Sequence, residues 1–221
     1  MPSRRDPLIT GYYYHIYVRS IAGFVVFNNS YEYRAIIEII DLCKYVDFQM
    51  KYSKYKMLTD NSQKRYLKEM KESSKKLVDI VSYCLMPTHI HLLLKQEIEG
   101  GISKFMNRVL NSYSKRFNKA HKRNGPLWAS RFKSVLVSSD EQLLHLTRYI
   151  HLNPSSAGLI KKPEEWKYSS YSGFISKQQS IINPKIIDMI PKEYRRFVED
   201  RKEYQKQLSK IKSVLIDHYS G

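Results

Sequence analysis

Apolar residues along the chain follow two different spacings, and each spacing predicts one kind of element. Short apolar runs rich in aromatic and β-branched side chains are typical of strands, and they occur over 12–18, 77–85, 89–95 and 131–138. Apolar residues three and four positions apart predict helices over 31–47, 102–120 and 140–153. The predicted order is therefore strand, helix, strand, strand, helix, strand, helix.

This order predicts an α+β fold. A βαββαβ core gives an antiparallel four-stranded sheet with both long helices on one face, which is the ferredoxin-like arrangement. The helix over 140–153 is additional to this core, and residues 183–221 predict one or two further charged helices. Residues 48–76 are rich in charged side chains and predict a solvated, peripheral helical insertion. The ferredoxin-like arrangement by itself decides no function, because it carries many.

Composition excludes several classes of protein. Hydrophobic residues make up 42% of the chain and aromatic residues 13%, which is enough to build a core. No apolar run approaches the roughly 18 residues of a membrane-spanning helix, and the charged N-terminus does not resemble a signal peptide. Cys43 and Cys84 form neither a disulfide framework nor a zinc motif. We therefore expect no membrane partner and a reducing, cytoplasmic location.

The charge of the chain points to a polyanionic partner. Lys and Arg number 38 against 21 Asp and Glu, which gives a formal net charge of +17. Residues 100–139 contain no carboxylate side chain at all, while basic and aromatic residues alternate along them. Basic side chains neutralise phosphates, and aromatic faces stack on unpaired bases, so we predict nucleic-acid contact along this acid-free stretch.

We expect the affinity for nucleic acid to fall steeply with salt, whatever the base sequence. The physical reason is the release of counterions from the phosphates that the basic side chains neutralise. A titration at several salt concentrations measures the slope. A flat response would mean that the positive charge serves something other than the path of the nucleic acid.

The sharpest local pattern is His89-Ile90-His91 in the third predicted strand. Side chains two positions apart on a strand point to the same face, so both imidazoles would project together and Ile90 would be buried on the other side. Two neutral imidazoles at that spacing suit a divalent metal. The alternative is a pair of partly exposed strand histidines without a ligand.

The helix over 140–153 carries the second candidate group. Tyr149 and Asn153 are four residues apart, so they lie on one face one turn from each other, and His145 falls on that face too. Leu143, Leu146 and Ile150 form the adjacent stripe that can pack on the sheet. Asp140 is the predicted N-cap and Pro154 is predicted to lie just past the end. A tyrosine in such a place is usually an amphipathic packer, so position alone does not make Tyr149 catalytic.

Several ordered motifs together resemble one protein family. Residues 86–94, Met-Pro-Thr-His-Ile-His-Leu-Leu-Leu, resemble the HUH motif (His, hydrophobic, His) of single-tyrosine transposases. Residues 14–19, 112–118, 125–128 and 131–133 are similar to further stretches of these enzymes. Residues 148–159, Arg-Tyr-Ile-His-Leu-Asn-Pro-Ser-Ser-Ala-Gly-Leu, resemble the REP-associated tyrosine transposase branch in particular. The resemblance spans roughly 10–172, which predicts a transposase domain over 1–172 and a helical extension over 173–221.

The resemblance implies a mechanism. It implies that His89 and His91 hold Mg²⁺ or Mn²⁺, that Asn153 completes the metal site, and that Tyr149 attacks a phosphodiester of single-stranded or hairpin DNA. The products would be a 5′-phosphotyrosine link and a free 3′-OH, with the enzyme at the nucleoid and acting as a monomer or a homodimer. The predicted DNA-binding residues are Arg19, Lys104, Arg108, Lys115, Arg116, Lys119, Lys122, Arg123, Trp128, Arg131 and Lys133. Further contacts could come from the insertion, through Lys51, Lys54, Lys56, Lys64 and Arg65.

Three alternatives remain open at this point. The chain could bind structured DNA or RNA without cutting it, since charge and aromatic residues serve that equally well. It could also be a metal-dependent phosphodiesterase that uses an activated water, with Tyr149 only structural. Tyr113 is a rival nucleophile, although its spacing from Val109 and Phe117 favours a place in the core.

Overall fold

The computed structural model describes residues 7–176 and 181–200, and its elements follow the predicted order. The strands are β1 (Tyr13–Arg19), β2 (Val78–Met86), β3 (His89–Gln96) and β4 (Lys133–Leu136). The helices are α1 (Ser30–Cys43), α2 (Tyr52–Tyr55), α3 (Asp60–Ser73), α4 (Gly101–Ala120), α5 (Asp140–Ser156), α6 (Tyr171–Ile175) and α7 (Pro191–Glu199).

The four strands form one antiparallel sheet in the order β2-β3-β1-β4. This order places the second hairpin strand beside β1, and it confirms the predicted ferredoxin-like core. In the β1–β3 register, Tyr17 lies opposite His91 and Arg19 lies opposite His89. Directly opposed residues share a face, so these four side chains project from the same side of the sheet.

The two faces of the sheet carry different layers. Helices α1 and α4 pack together on the face that carries Ile90 and Leu92. Gln96 lies on the same face, and its side-chain oxygen accepts a hydrogen bond from the Ile102 N–H of α4 at 3.1 Å. Helix α5 packs against β2 and β3 on the opposite face. The alternation predicted for the third strand is therefore confirmed, because Ile90 is only 1% exposed and lies away from the two histidines.

One glycine fixes where α4 meets the sheet. A Cβ atom on Gly101 would lie 2.2 Å from the backbone oxygen of Leu77, which no side chain tolerates. The approach also brings the backbone N–H of Glu97 to the same oxygen, at 3.1 Å. The absence of a side chain at Gly101 thus permits a close contact between α4 and the start of β2.

The tyrosine helix is longer than the sequence predicts. Ser139, not Asp140, is the N-cap of α5, and its hydroxyl accepts a hydrogen bond from the Gln142 N–H at 3.1 Å. The helix also continues through Pro154 to Ser156, although a proline disfavours helical backbone before it. Pro154 and its neighbours on both sides are buried, so tertiary packing outweighs the local preference.

The insertion is not solvated throughout, which corrects the prediction for residues 48–76. Phe48, Tyr52, Tyr55 and Met70 are all buried and extend the core beyond α1. The Tyr52 hydroxyl donates a hydrogen bond to Glu38 of α1. The aromatic residues among the lysines therefore fasten α2 and α3 to the first helix layer.

The fourth strand is shorter than predicted. Residues 129–131 bend, and Trp128 just before them forms an antiparallel bridge with Ser20, beyond the end of β1. The Ala129 N–H donates to the Arg19 oxygen at 3.0 Å. Phe132 is buried between the exposed Arg131 and Lys133, so the predicted alternation holds over these residues, although only Lys133–Leu136 pair as a strand.

The C-terminal part is described only as far as Asp200. Helix α7 packs against α5 and α6, while the predicted helices beyond residue 200 lie outside the described residues. The division into 1–172 and 173–221 stays a prediction. Among the described residues, the model contains no helix with the length and apolarity that crossing a bilayer requires.

Candidate active site

Four aromatic side chains line the α5 side of the sheet. The ring centroids of His89 and His91 lie 5.1 Å apart, as two residues on one strand face should. Tyr17 packs against both, at 4.7 Å from His91 and 5.6 Å from His89. His15 stacks on His91 with a centroid distance of 5.3 Å. The structure thus joins the two predicted histidines to a third histidine and a tyrosine from β1.

Helix α5 places Tyr149 over this cluster. The centroid of its ring lies 5.9 Å from that of His91 and 6.0 Å from that of His15, both in edge-on arrangements. Leu143 and Ile150 are buried along the same helix and seat it on the sheet. The sequence alone predicts the tyrosine and the histidines separately, and the structure brings them together.

Asn153 lies one turn beyond Tyr149 and is only 3% exposed. Its amide nitrogen donates a hydrogen bond to the backbone oxygen of Tyr149, at 3.1 Å. This bond fixes the orientation of the amide, and it links Asn153 to the segment that carries the tyrosine.

The two histidines predicted to bind metal each have a partner at Nδ1. His89 Nδ1 lies 3.0 Å from the hydroxyl oxygen of Thr88, and His91 Nδ1 lies 3.0 Å from His15 Nε2. Partners of this kind set the tautomer and the ring orientation of metal-binding histidines. Sequence reasoning missed His15. The signal that could have found it is the alternation His15, Tyr17, Arg19 along β1, which places all three on one face.

Burial raises the pKa of the Tyr149 hydroxyl well above its ordinary value. The Asn153 amide and the positive charge of Arg19 lower this pKa but do not outweigh the effect of burial. The phenol is therefore fully protonated at neutral pH in the free protein. It becomes a competent nucleophile only if its proton is removed or the new charge is offset during reaction.

Comparison with known proteins identifies the family. The model of the family "Transposase IS200 like" matches residues 40–153, just over half of the 221 residues. The chain belongs to the IS200-like transposase family. The matched range runs from the end of α1 to Asn153, so it contains His89, His91 and Tyr149.

Two known proteins are similar to this chain. A Haemophilus influenzae protein, provisionally named a REP-associated tyrosine transposase, is 28% identical over 103 residues, which is 42% of this chain and 58% of that protein. The chain thus matches little more than half of the length of this curated relative. A solved structure of a REP-associated tyrosine transposase bound to a REP hairpin covers 86% of this chain and 95% of its own, with 16% identity and a TM-score of 0.49. The family resemblance that the sequence motifs indicate is confirmed.

Helix α7 packs against α5, the helix that carries Tyr149. His151 is completely buried, with Nδ1 at 2.7 Å from the Tyr194 hydroxyl of α7 and Nε2 at 2.7 Å from the Ser170 hydroxyl. Arg148 lies over the ring of Phe197, 4.2 Å from its centroid, and donates to its backbone oxygen at 3.3 Å. The residues on either side of Tyr149 therefore fix α5 to the C-terminal part of the chain.

His145 belongs to this contact with α7 as well. Its ring centroid lies 5.8 Å from that of Phe197, and its Nδ1 lies 2.6 Å from the guanidinium of Arg148. The helical spacing that groups His145 with Tyr149 in the sequence therefore does not place its ring among the site histidines.

His151→Gln should remove a pH dependence of stability. Burial lowers the pKa of His151 to about 3, whereas an unfolded chain protonates this ring near pH 6.5. Below pH 6.5 the unfolded state binds a proton that the folded state does not, so the free energy of unfolding falls as the pH falls towards 3. From pH 7 to pH 5 the wild type should lose about 2 kcal/mol more than the variant. Urea unfolding of both proteins at the two pH values measures the difference, and parallel curves would contradict it.

The predicted DNA-binding residues fall into two spatial groups. Arg19 is exposed at the end of β1, and Lys133 lies opposite Tyr17 on the site face. Arg131 is exposed just before β4. The lysines of α4, by contrast, are exposed on the other side of the sheet; they are Lys104, Lys115 and Lys119. The acid-free stretch lies between the histidines and Tyr149 in sequence, but most of it does not lie between them in space.

Two of the residues predicted to contact DNA make hydrogen bonds within the fold. The Arg108 guanidinium donates to the backbone oxygens of Tyr45 at 2.9 Å and Val46 at 3.1 Å, which closes the chain after α1. Trp128 is half-buried beside Tyr113, and its indole N–H donates to the Leu110 oxygen at 3.4 Å. Both side chains are part-buried, and their contact with DNA stays a prediction.

The rival tyrosine lies in the core. Tyr113 is fully buried in the α1–α4 layer, and its hydroxyl donates to the Val26 backbone oxygen at 2.6 Å. It is therefore on the opposite side of the sheet from His89 and His91. The spacing of Tyr113 from Val109 and Phe117 in the sequence favours this place in the core, and the structure has it there.

Proposed function

We propose that the chain cuts and rejoins single-stranded DNA, at hairpin or repeat elements, through a 5′-phosphotyrosine intermediate on Tyr149. The observation that carries this proposal is the position of the Tyr149 ring, 5.9 Å from His91 on a sheet face that also holds His89. A domain that only binds nucleic acid needs no tyrosine over a pair of histidines.

The residues fit a divalent metal. His89 and His91 would bind it through Nε2, since their Nδ1 atoms have partners, and Asn153 would offer its amide oxygen. The Tyr17 ring packs against both imidazoles, and its hydroxyl is buried without a hydrogen-bond partner in the part of the chain that the structure describes. Among the described residues, no three His, Cys, Asp or Glu side chains form a metal cluster. A set of two imidazoles and one amide accepts Mg²⁺ or Mn²⁺ when phosphate and water oxygens complete the shell.

The bound ion would supply charge stabilisation at the scissile phosphate. The Tyr149 oxygen forms a bond to phosphorus while the bond from phosphorus to the 3′ oxygen breaks. The phenol loses its proton, and the departing 3′ oxygen gains one, so the products are a 5′-phosphotyrosine and a 3′-OH. Arg19, at the end of β1, offers positive charge on the same face. The tyrosyl ester keeps the energy of the broken bond, so a 3′-OH can reverse the step without ATP.

Trapping of the covalent intermediate tests this proposal. A single-stranded hairpin oligonucleotide is incubated with the chain and Mn²⁺, with label on either the 5′ or the 3′ end. The proposal predicts a denaturation-resistant protein–DNA band that carries only the 3′-end label, together with a released fragment that a polymerase can extend. Cleavage without any band would favour a phosphodiesterase that uses water. Binding without cleavage would favour a non-catalytic DNA- or RNA-binding domain.

His15→Phe should weaken metal binding without removing the stacked ring. Phenylalanine keeps the packing on His91 but loses the nitrogen at 3.0 Å from His91 Nδ1. Loss of such a partner typically costs about 10- to 100-fold in metal affinity. The Mn²⁺ concentration for half-maximal adduct formation should rise by that factor, and a high Mn²⁺ concentration should restore the yield. An unchanged Mn²⁺ requirement would mean that His15 only fills space.

A further inference from the structure

An exposed aromatic residue, Phe24, lies in the turn after β1, where its ring packs edge-on against Phe117 of α4 with a centroid distance of 5.9 Å. Between β1 and α1 the chain turns sharply, because Ala22 and Gly23 are both left-handed, with φ of 50° and 68°. The turn projects Phe24 and Val25 outwards, and their side chains are 45% and 41% exposed. A left-handed alanine is disfavoured backbone, so the segment holds this shape against a local cost.

The turn is fastened to the loop that precedes the histidine strand. The Ser20 N–H donates to the Thr88 oxygen at 2.8 Å, and the Val26 N–H donates to the Pro87 oxygen at 2.9 Å. Thr88 directly precedes His89. Phe24 is therefore presented from a backbone that is hydrogen-bonded on both sides to the start of the candidate active site.

A fixed cation accompanies the exposed ring. The Arg123 guanidinium carbon lies 5.5 Å from the centroid of the Phe24 ring. Arg123 is held there by hydrogen bonds to the Asn118 side chain at 2.9 Å and the Pro126 oxygen at 2.6 Å. An aromatic face beside an immobilised arginine suits a nucleobase and its phosphate.

The charge around this ring also favours a nucleic acid. Arg123 and the exposed Lys122 both belong to the acid-free stretch over residues 100–139. The carboxylate of Glu32, which pairs with His121 at the end of α4, is 3% exposed, and its Oε1 lies 2.5 Å from His121 Nε2. Its negative charge is thus buried against a partner.

Phe24 lies between the two groups of basic residues, the one that includes Arg19 and the one on α4. Phe24 follows Arg19 by five residues, so at most about 18 Å of extended backbone separates them. That length corresponds to about five stacked nucleotides. A strand that passes Phe24 would cross the end of the sheet, from the site face towards the C-terminal end of α4.

We propose that Phe24 and Arg123 form a stacking subsite for an unpaired base of the DNA strand, within about five nucleotides of the part of the strand that passes Arg19 on its way to the scissile phosphate. This inference rests on the proposed function for the location of the cut. The subsite would explain how the basic end of α4, on the far side of the sheet, contributes to a strand that reaches His89.

The test uses the full chain and Phe24→Leu, which keeps apolar volume but removes the aromatic face. A single-stranded oligonucleotide carries 2-aminopurine at one position at a time, and both affinity and fluorescence are recorded. Wild type should quench one or two adjacent positions, and Phe24→Leu should lose that quenching and bind at least about five-fold more weakly. Tyr12→Leu is the matched control, because Tyr12 is a 51% exposed aromatic at the other end of β1, and it should change neither reading.

Binding of fully paired duplex separates stacking from a general loss of affinity. Duplex bases are not available to Phe24, so the variant should bind duplex as the wild type does. Unchanged quenching and single-strand affinity in Phe24→Leu would overturn the subsite, and so would an equal loss for duplex. Failure of the wild type to form a covalent adduct would instead overturn the proposed function, while the quenching pattern still decides on stacking.

Discussion

Tyr149→Phe should abolish the covalent protein–DNA complex, with a loss of at least about a thousand-fold in the rate of adduct formation. The substitution removes only the hydroxyl and keeps the ring on His91 and His15. The fold should therefore be unaffected, and DNA affinity should stay close to that of the wild type. Quantification of the adduct on a denaturing gel, with hairpin DNA and Mn²⁺, gives the result.

Tyr113→Phe is the matched control for this substitution. It also removes one buried hydroxyl, and it loses the hydrogen bond to the Val26 oxygen, which costs about 1 kcal/mol of stability. The adduct should still form, because Tyr113 lies on the opposite side of the sheet from His91. An adduct that survives in Tyr149→Phe would show that Tyr149 is not the nucleophile.

His89→Ala and His91→Ala should each abolish metal-dependent cleavage. Each substitution removes one of two imidazoles whose ring centroids lie 5.1 Å apart, and a pair reduced to one offers a divalent ion too few ligands. Cleavage of a labelled hairpin over a range of Mn²⁺ concentrations measures the effect. The wild type should lose its activity in excess EDTA and regain it when Mn²⁺ is added back.

His145→Gln provides a comparison for the histidine variants. His145 is an exposed imidazole on α5 that contacts Phe197 rather than the site, so its removal should leave cleavage and its metal requirement close to wild type. Full cleavage by the wild type in excess EDTA would refute the metal role of His89 and His91.

The sheet and its shared face could be predicted because strand geometry has a short and strict period. Alternation alone places His89 and His91 on one side and Ile90 on the other, and the structure has this arrangement. The same rule also places His15 with Tyr17 on one face of β1. What the sequence does not contain is the register that sets these residues beside the β3 histidines.

The layers on each face could not be predicted from local patterns. Both α4 and α5 have an apolar stripe that fits a sheet, and nothing in either stripe says which face it covers. The basic residues of α4 therefore lie on the far side from Tyr149, although they precede it closely in sequence. Arg108 shows the same limit, because a cation that binds backbone oxygens has the same sequence signature as one that binds phosphate.

Local rules also failed where packing overrides them. Pro154 predicts an end of the helix, yet the buried segment around it continues α5 to Ser156. This continuation keeps Asn153 one helical turn from Tyr149, where its amide binds the Tyr149 oxygen. The rule that the residue before a proline disfavours helical backbone would, by itself, not have placed Asn153 one helical turn from Tyr149.

Identification of the residue that carries the DNA is the most direct test of the account. The trapped adduct is digested with nuclease and trypsin, and the peptides are sequenced by mass spectrometry. Residues 149–161 form a tryptic peptide with Tyr149 as its one tyrosine, and cleavage missed at Arg148 gives residues 134–161, which still contain no other. We predict a nucleotide phosphate on Tyr149 in one of these peptides. A nucleotide on residues 109–115, whose one tyrosine is Tyr113, or on any other peptide would contradict the account.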